Sequence, residues 1–315
     1  MRVIAVAGGT GPVGKTIVDG LIAHGTYKVY VMSRSAKPFQ GPGDLLQVDY
    51  TNADETRAAF EKANVDTVIC AIGVATQGTN EAQKKLIRAA HAASSVKRFV
   101  ISSFDMLHRK EDIELNPLTK YTFEAIDELE KTDLEYTRIA NGWFLDYYGM
   151  PYWKTYLHPW INILSMKEKW AVIPGDGSAK ANFITTQDMA TFVAHLMDID
   201  QWPRISSIFA QTLSFKELLQ QAEKARGSKF EVAYDSLEKL KSGKISFSSK
   251  FPAIDFPGGD EAFFATLHYQ AGLGRFLVPT DDVLDSRFPH IKPTTVAEVM
   301  EKSWANRETD EVERV

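Results

Sequence analysis

Ala7 to Thr16, AGGTGPVGKT, contains two glycine spacings that serve different chemistry. Gly9-x4-Gly14-Lys15-Thr16 matches a loop that wraps a nucleoside triphosphate, with the lysine on the terminal phosphates and the hydroxyl on Mg²⁺. Gly8-x2-Gly11-x2-Gly14, overlapped by Gly9-x-Gly11-x2-Gly14, is the spacing of a dinucleotide turn. There the missing side chains let backbone N–H groups at a helix start meet a pyrophosphate. The residue that separates the two readings lies about 20 positions further on, at the tip of the next strand. That tip reads MSRSAK and carries Arg34, with Lys37 nearby and no carboxylate between Tyr27 and Gly43. An acid at this point would grip the ribose 2′-hydroxyl of NAD, whereas a basic residue suits the 2′-phosphate of NADP. Asp49, ending LLQVD, could supply the acid that a hydrolase needs. The dinucleotide reading accounts for Arg34 as well, and it leaves Lys15 as an outward-facing residue of the first helical turn.

The rest of the chain narrows the chemistry further. His108, His158 and His268 stand at no ligand spacing with cysteine or carboxylates, so no metal is expected. The single cysteine, Cys70, lies inside the apolar run TVICAIG, which points to a buried core thiol and a reducing compartment. A net charge of −5 argues against a nucleic-acid or anionic-membrane surface. The first strand pattern begins within two residues of Met1, and no apolar run reaches the roughly 18 residues of a membrane span. A cytoplasmic, soluble protein is expected.

These residues need elements to hold them. Short runs rich in valine and isoleucine recur at Val3–Ala7, then from Tyr27, Asp44, Asp66, Lys97 and Leu134. Between them apolar residues fall at helical spacing, as in Val13, Ile17 and Leu21, or Ala82, Leu86 and Ala89. Near-continuous apolar strands alternating with helices predict an α/β fold, a Rossmann-type doubly wound parallel sheet covered on both faces. Ligands of such sheets bind beyond the carboxyl ends of the strands. From about Trp143 the pattern changes. Eight aromatic residues between Trp143 and Trp160 are interrupted by Pro151 and Pro159. KEKWAVIPGDGSAKANFIT then reads as strand, glycine turn and strand. TQDMATFVAHLMD is a helix with Thr186 as its cap, and SFKELLQQAEKA is another, opened by Ser214 and Glu217 at capping-box spacing. The division expected is a dinucleotide-binding domain over 1–150, which 175–200 also joins, and a smaller C-terminal α/β lobe mainly over 151–315. The charged end, NRETDEVERV, is expected to be a solvated tail.

VAGGTGPVG, VKRFVISSF, EYTRIANGWF and PGDGSAKANFITTQDMA, in that order, make the chain similar to the NmrA-like and isoflavone-reductase-like branch of the atypical short-chain dehydrogenases. The resemblance implies an NADP(H)-binding N-terminal domain and a small substrate lobe. By the resemblance, Gly8, Thr10, Gly11, Pro12, Val13 and Gly14 form the phosphate turn, with Ser33 and Arg34 at the 2′-phosphate. Asp49 and Tyr50 would lie by the adenine, and Ala71, Ile72 and Gly73 by the second ribose and pyrophosphate. Ser102, Ser103 and Phe104 would end near the nicotinamide, and Asn141 to Phe144 would close the pocket. Asp49 has an alternative as a plain turn residue, and the serine pair as caps of local backbone. Two departures from the family stand out. Ile101-Ser102-Ser103-Phe104-Asp105 replaces the Pro-Ser-Glu-Phe-Gly of plant phenolic reductases, and Gly8-Gly9-Thr10-Gly11 replaces Gly-Ala-Thr-Gly.

None of the eleven tyrosines has a lysine four residues on, so the proton donor of typical short-chain dehydrogenases is absent. The family's reductases use a lysine at the start of the helix before the sixth strand, which is Lys120 in NPLTKYTFEAIDELEK. A lysine there, facing an apolar pocket and a cationic nicotinamide, would release and take up a proton more readily than one in water. Tyr121 or Ser103 could assist. The aromatic segment is read as part packing and part pocket wall for a flat ligand, with Phe144 and Tyr148 nearest to it. The expected partner is a small aromatic or conjugated substrate, with no nucleic acid and no membrane; a homodimer is left open. The competing reading is a non-catalytic NAD(P)-sensing regulator that acts through a protein partner.

Overall fold

The computed structural model describes residues 1–35, 41–254, 259–280, 283–305 and 307, without the side chains of Pro117 and Asp285. Lys37 and most of the charged C-terminal stretch lie outside the described residues. The chain forms two units. The first alternates β1 (Val3–Ala7), α1 (Pro12–His24), β2 (Lys28–Ser33), β3 (Asp44–Gln47), α2 (Ala53–Ala63) and β4 (Thr67–Cys70). It continues with α3 (Gln77–Ala92), β5 (Arg98–Asp105), α4 (Pro117–Leu129) and β6 (Glu135–Ala140). All six predicted strands are present. They pair in parallel in the order β6-β5-β4-β1-β2-β3, so the direction of winding reverses between β1 and β4.

A seventh strand, Ile205–Ser207, extends the sheet beside β6. It is not among the six runs read from the sequence; Ser206 is buried and shares a hydrogen bond of 2.8 Å with Thr137. The sheet is packed on both sides. Ala5, Ala7, Phe60, Leu86, Ile87, Phe99, Ile101 and Ala125 belong to one core cluster that α2, α3 and α4 complete. Ile17, Val18 and Leu21 of α1 are almost fully buried as well. Each such side chain contributes about 1.5–3 kcal/mol by leaving water. α1 packs along the Thr186–Leu196 helix, whose first residue is Thr186 itself.

The second unit holds two small sheets. In one, Lys180–Ile184 runs between Gln211–Ser214 and Trp143–Phe144; in the other, Trp170–Pro174 runs between Glu231–Asp235 and Leu164–Ser165. The two strands expected around the PGDG turn both form, yet they join different sheets. Gly175 and Gly177, at φ +60° and +78°, turn the chain away from a hairpin. Ser214 and Glu217 form the expected capping box.

Boundaries differ from those expected. The first unit is 1–141, 186–208 and 279–292, and the second is 142–185, 209–278 and 293–315. The division falls at 142 rather than 150 because Trp143 and Phe144 pair with Phe183 and Ile184. Residues 175–185 stay with the second unit as turn and strand, and Ser207 recruits Val283 through a parallel bridge.

Gly20 shows how closely α1 is fitted. A Cβ there would lie 2.7 Å from the carbonyl oxygen of Ala190, a backbone atom that cannot rotate aside. Alanine would add about 1 kcal/mol of helix propensity, against typically 1–3 kcal/mol for overpacking. Gly20→Ala is therefore expected to lower the melting temperature by several degrees in thermal denaturation. An unchanged or raised value would show that the two helices separate freely.

Candidate functional site

The loop after β1 is built by backbone pressed on backbone. Gly8 has φ +75°, and a Cβ on it would stand 2.5 Å from the carbonyl oxygen of Ala71 in the loop after β4. A Cβ on Gly14 would stand 2.2 Å from the carbonyl oxygen of Gly8. Gly11 is the N-cap of α1, and Pro12 occupies the first helical turn, where a missing N–H costs nothing. Because Gly11 has no side chain, none folds back over the free N–H groups of the first turn. That end of α1 is an open anion seat at the carboxyl edge of the sheet, beside the winding reversal. Thr10 is exposed at its rim, and Val13 is half-buried. Lys15 is exposed, and its backbone N–H donates to Gly11 at 2.8 Å as the helix begins. The residues whose shape matters are thus Gly8, Gly11 and Gly14. This cradle fits a pyrophosphate.

Arg34 stands exposed just past the end of β2, next to Ser33, whose hydroxyl accepts from the Ser35 N–H at 3.1 Å. Asp49 closes an Asx turn, accepting from the Thr51 N–H at 2.8 Å and the Thr51 hydroxyl at 2.7 Å. Those two hydrogen bonds hold its carboxyl below the usual range. Tyr50 lies beneath the glycine loop. Its hydroxyl donates to the Met32 carbonyl at 3.3 Å, and burial pushes its pKa up to about 12 against a hydrogen bond from the Gly8 backbone.

Ala71, Ile72 and Gly73 continue from β4, with the Ala71 N–H held at 2.7 Å by the Ala7 carbonyl. Ser102 ties this loop down, its hydroxyl donating to the Ile72 carbonyl at 2.6 Å while its N–H donates to Gln83 at 3.1 Å. It thus braces backbone, the alternative role left open by the sequence. Around Ser102 the register between β5 and β6 shifts, since Ile101 faces Arg138 but Asp105 faces Ala140. A bulge of this kind re-aims side chains at a sheet edge. Ser103 is buried with no hydrogen-bond partner for its hydroxyl, and Phe104 is half-buried. Asn141 is fully buried and donates its N–H to the Asp105 carbonyl at 3.1 Å. The thiol of Cys70 is pushed up to about 12 by burial, which makes it an inert core residue.

Lys120 sits in the first turns of α4, with its side chain 61% exposed and Nζ 3.8 Å from Oε1 of Glu124. Within this unit its neighbour is a carboxylate rather than the apolar wall expected from sequence. Glu124 itself is anchored across to α3, accepting from Asn80 at 2.7 Å and Lys84 at 3.3 Å. Tyr121 is half-buried beside Lys120. Nearby, the buried ring of His108 shares a hydrogen bond of 2.9 Å with Thr119 and lies 3.5 Å from Asp105. Sequence reasoning missed Gln83, Glu124 and the Asp105–His108–Thr119 chain. Only Lys120 and Glu124 carried a signal, their i,i+4 spacing; the others meet through tertiary structure alone.

In the second unit Phe144 and Tyr148 are both buried, 8% and 1% exposed. Tyr148 packs tilted against Phe183, and its carbonyl accepts from the Trp304 indole at 2.8 Å. The outward part of the aromatic segment instead lines a cleft of about 410 Å³, with Tyr147, Met150, Pro151, Pro159 and Trp160 among its walls. Among the described residues, no group of three His, Cys, Asp or Glu is placed to hold a metal ion, and no helix is long and apolar enough to cross a membrane.

The sequence model of the NmrA-like family matches residues 1–264. Oxidoreductase BOA1 of Botryotinia fuckeliana is 31% identical over 72% of this chain and 77% of its own. Oxidoreductase swnN of Metarhizium robertsii is 27% identical over 98% of this chain and 99% of its own. Among solved structures, AtPrR2 with NADP⁺ and (+)-pinoresinol superposes with a TM-score of 0.73 at 21% identity, over 95% of this chain and 97% of that one. This likeness extends the same fold to nearly the whole chain. With most of its length matched by the family model, the chain belongs to the NmrA-like family.

Proposed function

We propose that the protein is an NADPH-dependent oxidoreductase that reduces a small aromatic or conjugated carbonyl compound. The observation that carries this reading is the side-chain-free cradle of Gly8, Gly11 and Gly14 at the open end of α1, with Arg34 rather than a carboxylate past the tip of β2. The oxidoreductase relatives support the reaction class, and the NADP⁺-bound AtPrR2 structure supports the cofactor. The N–H groups of the first turn of α1, around Val13 and Gly14, bind the pyrophosphate, with Thr10 and Pro12 at its edge. Ser33 and Arg34 bind the 2′-phosphate, and Asp49 and Tyr50 flank the adenine. Ala71, Ile72, Gly73, Ser102, Phe104 and Asn141 shape the path towards the nicotinamide. When bound, the cofactor supplies a hydride. Lys120 delivers the proton that completes the reduction, held in reach by Glu124. Tyr121 and Ser103 stand as alternates.

Three measurements test this. In titrations followed by NADPH fluorescence, Gly14→Ala is expected to abolish binding, because the new methyl group meets the Gly8 carbonyl. Lys15→Ala is expected to stay within a few-fold of wild type, and the protein to lack Mg²⁺-dependent ATPase activity. A large loss on removing Lys15 would return the loop to the triphosphate reading.

Cofactor choice is read from Arg34→Ala. Losing a charge-assisted contact of roughly 1.5–3 kcal/mol should weaken NADPH by about 10- to 150-fold while leaving NADH nearly unchanged. Equal losses for both would make Arg34 structural.

Turnover is read by screening aromatic ketones, enones and quinones for NADPH oxidation. Lys120→Met keeps the stem and deletes the ammonium, so it should lower turnover by about 10²–10⁴-fold with little effect on NADPH affinity. A wild-type rate would move the proton role to Tyr121 or Ser103. If no compound is reduced while NADP⁺ and NADPH differ in their effect on a protein partner, the sensing role replaces the catalytic one.

A further inference from the structure

The cleft in the second unit is built to a pattern of its own. Its volume of about 410 Å³ falls in the range of small-molecule sites, and most of its wall is apolar. Trp160 is its main flat surface. The indole is braced from behind, edge-on to Phe263 at 5.8 Å and tilted against Phe264 at 5.3 Å, and Phe264 in turn stacks on Phe251 at 4.4 Å. Pro151 and Pro159 stiffen the chain on either side, and Met150 and Met166 give the wall adaptable, polarisable surface. The unit therefore presents a pre-set aromatic plane that loses little freedom when another plane lies on it.

The rim is polar on one side. Lys167 and Glu168 both border the cleft, but they are not equivalent. Glu168 is drawn off to Trp170, accepting from the indole N–H at 2.9 Å. Lys167 is exposed and, among the described residues, has no carboxylate within ion-pair distance. Tyr147 adds a phenol that stays protonated, since burial first and the Asp146 carboxylate second push it up to about 12. An apolar slot with an unpaired ammonium and a phenol at its edge is complementary to a planar ring system with one negative group.

We propose that this cleft binds a flat conjugated anion, an aromatic carboxylate or phenolate, with its rings against Trp160 and its charge towards Lys167. That this ligand is the substrate rests on the reductase reading; its binding does not.

The test uses the full-length protein and two dyes of one skeleton, anionic 1-anilinonaphthalene-8-sulfonate and neutral N-phenyl-1-naphthylamine. Wild type is expected to bind one equivalent of each. Lys167→Gln should weaken the anion about three- to fivefold, the upper scale of an exposed ion pair, and leave the neutral dye within twofold. Trp160→Ala should weaken both at least tenfold, and Met150→Trp, which fills the slot with another apolar side chain, should exclude both. NADPH titration of the same variants should match wild type, which shows them folded and separates the two readings. NADPH binding lost in wild type would strike at the reductase, whereas unchanged dye binding in Trp160→Ala and Met150→Trp would overturn the cleft. Dye binding that ignores Lys167 would overturn the anion. A change of oligomeric state in Trp160→Ala without any effect on the dyes would assign the face to a second copy of the chain.

Discussion

Two contacts between backbone atoms govern the first unit. Gly8 rests against the Ala71 peptide, and the Gly8 carbonyl rests against Gly14, at separations no Cβ could share. The first closes the gap between β1 and β4 where the winding reverses; the second lets α1 start directly above the sheet. With the helix start pinned there, its dipole and free N–H groups meet at one point over the carboxyl ends of the strands. Gly20 maintains the other half of that fit by letting α1 lie on the Thr186–Leu196 helix. An anion seat of this kind derives its precision from what is missing, so no single side chain can be enlarged to improve it.

The neighbouring part of the site follows a different logic. At the ends of β5 and α4, polar side chains brace one another: Gln83 and the Ile72 carbonyl hold Ser102, and Glu124 gathers Asn80, Lys84 and Lys120. Buried polar networks fix geometry because each unmade hydrogen bond is costly. The network is not saturated: Asn80 Oδ1, Gln83 Nε2, Asp105 Oδ1 and the Ser103 hydroxyl are buried without a hydrogen-bond partner.

Much of this was legible beforehand, for identifiable reasons. The first six strands are short, mainly apolar runs, and β1, β4 and β6 end at or close to a glycine, so that pattern and punctuation are local signals. The glycine loop, Arg34 and Ser214–Glu217 are likewise read within a few residues of sequence. Ile205–Ser207 escaped because a strand that buries serines against Thr137 has no apolar signature. The domain limits shifted because pairing of Trp143–Phe144 with Phe183–Ile184 is a long-range event. Aromatic residues at 143–160 could be counted but not sorted: Tyr147 and Tyr148 are sequence neighbours, yet one lines a cleft and the other fills a core. Lys120 was found by family likeness, while its partner Asn80–Glu124 depends on α3 and α4 lying side by side.

The interleaving of the two units has its own consequence. The chain passes between them after residues 141, 185, 208, 278 and 292, so each is assembled from three separate stretches. Neither can be completed on the ribosome before the other is nearly finished, because residues 279–292 belong to the first and 293–305 to the second. Long loops must close early in folding, which slows it and leaves half-built sheets exposed. A domain exchange by simple fusion, of the kind that reshuffles contiguous modules, is closed to this architecture. New specificities in such a chain are more readily reached by substitutions and loop changes within the segments already in place.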